Sequence, residues 1–67
     1  MAAATIIDQY GHANRFKAVL VAAELNATTH WEIEFTNDLR VRFESWGHRM
    51  QLSDLQRNQL NRIAGED

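Results

Sequence analysis

Three histidines, His12, His30 and His48, are the side chains best suited to hold a transition metal in a chain that has no cysteine. A protein zinc site needs three or four imidazole, thiolate or carboxylate ligands brought together, usually from closely spaced pairs. No two of these histidines stand three or four residues apart, so no metal centre is expected and no cofactor is implied. General acid-base chemistry would need two carboxyl groups of split pKa. Glu32 and Glu34 are the closest same-face pair if the segment is extended, but each then faces an arginine that keeps both ionised and alike. The hydroxyls of Ser45, Ser53, Thr5, Thr28, Thr29 and Thr36 suit caps and turns, and no base stands out beside any of them. Gly11, Gly47 and Gly65 lie too far apart to form a phosphate-binding loop. The residues therefore argue against an enzyme.

Recognition chemistry is better represented. Trp46, His48 and Arg49 combine a large aromatic with cationic side chains around Gly47, and Arg40 and Arg42 extend the set; Trp and Arg are the side chains that most often anchor protein interfaces, while an equal reading folds Trp46 back to close the open end of the core. The expected partner is a protein. A second set, Arg57, Asn58, Asn61 and Arg62, has the side-chain types that read guanine and adenine edges. Seven Lys and Arg against nine Asp and Glu give a net charge of −2, however, and Lys17 is the only lysine. A chain without a positive field is poorly equipped to attract a phosphate backbone, so nucleic acid is the alternative partner.

The elements that would carry these residues are legible to different degrees. Ser53 with Gln56 three residues on forms a capping-box pattern, Asp54 favours the first turn, and Leu55, Gln59, Leu60 and Ile63 make an inward stripe, so a helix is expected over 54–64 with Gly65 as its left-handed cap. Phe16, Val19, Leu20 and Ala23 share one helical face, which predicts a helix over 12–25 stopped at Asn26; a buried strand over 16–21 competes. Thr5 and Asp8 offer an earlier cap, interrupted by Gly11. The middle of the chain alternates, with Trp31, Ile33 and Phe35 against Glu32 and Glu34, then Leu39, Val41 and Phe43 against Arg40 and Arg42. Period two predicts a hairpin of strands 30–35 and 39–45 around the loop Thr36-Asn37-Asp38. This register pairs Ile33 with Val41 and Trp31 with Phe43 inside, and Glu34 with Arg40 and Glu32 with Arg42 outside. A turn over Ser45-Trp46-Gly47 and a short third strand at 49–52 would follow, with residues 1–4 frayed.

The expected fold is thus a single α+β domain, ordered α-β-β-(β)-α, with an antiparallel sheet covered on one face by two helices. Sixty-seven residues, 45% hydrophobic and 24% charged, are enough for one core. The longest apolar run, Ala18 to Ala23, is far too short to cross a bilayer, and the start lacks a basic leader, so a cytoplasmic protein without membrane contact is expected. Small, acidic, cysteine-free chains of this class are similar to phage and mobile-element accessory proteins that bind and occlude a host protein. Self-assembly into a homo-oligomeric structural subunit is the further alternative, because a domain this small gains from added buried surface.

Overall fold

The computed structural model describes residues 4–65. Four helices dominate, joined to one small antiparallel ladder. In chain order these are β1 (Ala4–Thr5), α1 (Ile6–Tyr10), α2 (Ala13–Asn26), α3 (His30–Trp46), a single 3-10 turn (Gly47–Arg49), β2 (Gln51–Leu52) and α4 (Asp54–Ala64). The ladder joins segments far apart in sequence, pairing Ala4 with Leu52 and Thr5 with Gln51.

Three of the four helices, α1, α3 and α4, begin at a capping side chain. The Thr5 hydroxyl accepts from the Asp8 N–H at 3.3 Å, and α1 stops at Gly11, whose φ of 89° admits the break. In α2, Phe16, Val19, Leu20 and Ala23 are all buried, so the helical reading of 16–21 prevails over the strand. The capping box at α4 is complete: Ser53 Oγ accepts from Gln56 N at 3.1 Å and Gln56 Oε1 accepts from Ser53 N at 3.0 Å. Gly65 closes that helix in the left-handed conformation, φ 78° and ψ 25°. Leu55 departs from the expected inward stripe; at 68% exposure it points to water, and Leu60, Ile63 and Ala64 alone carry the buried face.

The hairpin does not form. Residues 30–46 are one continuous helix, Ser45 and Trp46 form its last turn rather than a loop, and Asn37 and Asp38 lie in its middle. Helical spacing puts Phe35, Thr36, Leu39 and Phe43 on one stripe, with Thr36 and Leu39 fully inside and the two phenylalanines half-buried against the core. Phe43 meets Phe16 of α2 with ring centroids 5.1 Å apart. Trp31, Ile33 and Val41, expected inside a sheet, are instead exposed, and the pairs Glu34 with Arg40 and Glu32 with Arg42 have no counterpart. The helix wins because it satisfies its own backbone, whereas a lone two-stranded hairpin is marginal in water. Both ends are also capped. Thr29 Oγ1 accepts from Glu32 N at 3.1 Å, Glu32 Oε1 accepts from Thr29 N at 3.2 Å, and Gly47 ends the helix at φ 58°.

Of the strands expected from alternation, only the segment near 49–52 survives, as β2, and its partner is the N-terminal segment. Ala4, expected to be frayed, is in the ladder; residues 1–3 lie outside the described part. The core comprises Ile6, Phe16, Leu20, Leu39, Met50, Leu52 and Leu60 with smaller neighbours, drawn from every helix and from β2. It is one small single-domain core.

Candidate functional site

Folding 30–46 as a helix redistributes the candidate residues. Arg40 and Arg42 would share one face of a strand, but on a helix they point about 160° apart. Arg40 turns towards α2, where its Nε and Nη2 donate to the two carboxylate oxygens of Glu24 at 2.9 and 2.6 Å. This fork-to-fork pair is only about a quarter exposed, and the hydrogen bond to Glu24 raises the guanidinium pKa above its ordinary value. Arg40 therefore ties α3 to α2 and leaves the candidate surface. Arg42 turns to the opposite side and donates from Nη2 to the Gln51 carbonyl at 3.0 Å.

There it joins Trp46. Arg42, Trp46, Arg49, Met50 and Gln51 line a cleft of about 420 Å³ where the end of α3 meets the 3-10 turn and β2. Trp46 is 61% exposed, and His48 and Arg49 are exposed beside it. Three of the five residues expected at a partner surface, Trp46, His48 and Arg49, thus sit together, with Arg42 adjoining them. The reason differs from the expected one: no sheet edge is involved, and the end of a helix presents them.

The same side of α3 carries a second cleft, which sequence reasoning missed. Trp31, Phe35, Asp38, Arg42 and Trp46 succeed one another three or four residues apart, a spacing that lines them along one side of the helix. Trp31 lies flat on Phe35, centroids 5.0 Å apart and planes 8° from parallel, and is 53% exposed. His30, Trp31, Glu34, Phe35 and Asp38 line a cleft of about 450 Å³. His30 Nε2 contacts the Glu34 carboxylate one turn on. Both tryptophans of the chain thus stand at the two ends of one helix side. Reading Thr29 and Glu32 as a capping box would have exposed this stripe in the sequence.

The alternative face on α4 is partly consumed by packing. Asn61 Oδ1 accepts from the Tyr10 hydroxyl at 2.9 Å, Arg62 Nε donates to Gln59 Oε1 at 3.0 Å, and Arg62 Nη1 lies 3.6 Å from Glu32. Arg57 is half-buried and Asn58 exposed. The three histidines fall on separate elements, at the start of α2, the start of α3 and the 3-10 turn. Among the described residues no three His, Asp or Glu side chains gather as a metal site would require, and no helix is long and apolar enough to cross a membrane. No family model, curated protein or solved structure matches this chain.

Proposed function

We propose that this protein is a non-catalytic protein-binding module whose docking surface is the side of α3 that runs from Trp31 to Trp46. The observation that carries this reading is the exposure of both tryptophans on one helix side, each over its own cleft. Leaving so much aromatic surface in water costs about 25 cal/mol for each Å² that burial would have removed, which marks such patches as places where another surface fits. Neither cleft sets a hydroxyl or thiol nucleophile beside a base, so the geometry favours binding over reaction. A small module that occludes a partner protein fits this description.

Trp46→Ala and Trp31→Ala should each weaken capture of the partner from a cell lysate at least tenfold, since a desolvated Trp anchor contributes ~2 kcal/mol or more, while helix content by circular dichroism stays unchanged. Arg57→Ala combined with Arg62→Ala should change capture little. The reverse pattern would move the site to α4 and favour nucleic acid.

A further inference from the structure

The two clefts on the docking side of α3 differ in charge. His30, Glu34 and Asp38 line the one at Trp31, whereas Arg42 and Arg49 are the charged residues of the one at Trp46, and no carboxylate lines it. Two of the seven basic side chains of an acidic chain therefore meet at one cleft with no counter-ion in its lining. Arg40 and Arg62, by contrast, are drawn to Glu24 and to Gln59 and Glu32. Arg42 commits Nη2 to the Gln51 carbonyl, which holds its guanidinium at the cleft. Among the described residues the Arg49 guanidinium has no hydrogen bond or ion pair. A guanidinium fork is built to take a carboxylate through two parallel hydrogen bonds. Beside the two arginines the lining is apolar, from the exposed indole of Trp46 and from Met50, which is only 2% exposed.

We infer that the Trp46 cleft receives an acidic segment of a partner protein, in which Asp or Glu carboxylates meet Arg42 and Arg49 and an adjoining apolar side chain covers Trp46. This assignment rests on the docking surface proposed above and names the chemistry of the partner at one end of it. A small carboxylate would answer the charge but leave the indole in water. A nucleic-acid strand repeats its phosphates along its length, and Asp38 and Glu34 stand one and two turns before Arg42 on the same helix, where they repel the next phosphates. A peptide can place its negative charge at the Trp46 end alone.

Selection from a random-peptide display library on the immobilised full chain provides the test. Enriched peptides should carry Asp or Glu next to Leu or an aromatic residue. Made synthetically with a fluorescent label, they should bind Arg49→Glu, and Arg42→Glu with Arg49→Glu, at least about tenfold more weakly than the wild type by anisotropy. Arg49 has no partner to lose within the described residues, so its variant should keep the wild-type helical spectrum. Replacing each acidic residue of a selected peptide with Lys should make it prefer the doubly reversed variant over the wild type, a rescue that misfolding would not produce. Trp46→Ala should weaken the acidic peptides, and Trp31→Ala should affect them less.

Peptides selected without acidic enrichment, or acidic peptides indifferent to charge reversal, overturn the acidic partner. If those peptides still depend on Trp31 or Trp46, the docking surface stands and only the chemistry of its occupant changes. No enrichment, or peptides indifferent to both tryptophans, removes both assignments. Single-stranded DNA that binds more tightly than any selected peptide, and is lost on charge reversal, would give the cleft to nucleic acid instead.

Discussion

At the scale of single residues, Glu32 joins three parts of the molecule. Its Oε1 accepts from the backbone N–H groups of Thr28 and Thr29 at 3.0 and 3.2 Å, and from the Thr28 hydroxyl at 3.3 Å. Its other oxygen faces Arg62 of α4 at 3.6 Å. The backbone donors of Thr28 and Thr29 hold the carboxyl below the ordinary glutamate pKa, with Arg62 adding to the effect. A group whose pKa is lower folded than unfolded binds fewer protons in the native state. Its stabilisation is therefore full above the unfolded value and disappears as pH falls through the folded one. The thermal midpoint of the wild type should exceed that of Glu32→Gln at neutral pH, and the gap should close on acidification below about pH 4.3, the unperturbed glutamate value. Melts of the two proteins at a series of pH values check this. Parallel curves would show that the carboxylate's charge contributes nothing beyond a neutral cap.

At the scale of elements, the decisive comparison is between positions that a helix and a hairpin would bury differently. In α3, Leu39 has no exposure, whereas about half of Ile33 and Val41 remains in water. Leu39→Ala should cost ~2–5 kcal/mol through lost burial and an unfilled cavity. Ile33→Asp and Val41→Asp should keep cooperative unfolding within about 1 kcal/mol of the wild type, as surface changes usually do. A sheet core would give the opposite result at Ile33 and Val41, so three denaturation curves separate the two architectures. This segment is also where the sequence is hardest to read. Leu39 and Phe43 fit both periods, β-branched and aromatic residues favour strands, and Asn37-Asp38 resembles a turn. The competing signal is the Thr29 and Glu32 capping pattern, which marks a helix start just ahead of the alternating residues. The ends of α4 were legible because Ser53, Gln56 and Gly65 each have a local role that tertiary packing does not alter. Residue type alone left Trp46 as either a surface anchor or a side chain folded back over the core, and only its 61% exposure places it at the surface. The paired clefts were not legible, because their spacing becomes visible only at helical period.

At the scale of the whole molecule, residues 4–10 are held by residues 50–61. β1 pairs with β2, Ile6 N donates to the Met50 carbonyl at 3.0 Å, and Gln9 Nε2 bridges the carbonyls of Ala4 and Leu52 at 3.0 and 2.9 Å. The Tyr10 hydroxyl reaches Asn61 on α4, and the Tyr10 ring meets Phe16 edge-on at 5.5 Å. A Cα radius of gyration of 10.8 Å matches the roughly 10.9 Å expected of a compact domain this long, so the N-terminal segment is part of the body. Total stability for a chain of this length is roughly 3–10 kcal/mol. Ile6 and Leu60 are both fully buried in the one core, although they come from opposite ends of the sequence. Truncating either to alanine removes ~2–5 kcal/mol, a large share of that total. Ile6→Ala and Leu60→Ala should therefore each lower the denaturation midpoint steeply. In both variants helix content by circular dichroism and tryptophan emission from α3 should be lost in one coincident transition. Neither tryptophan lies near the sequence position of Ile6, so coincidence of the two signals would report a core shared by the whole chain. If Ile6→Ala produced an early loss of helix while the emission of Trp31 and Trp46 held to the wild-type midpoint, β1 and α1 would be a separable strap, and the cooperative unit would begin at α2.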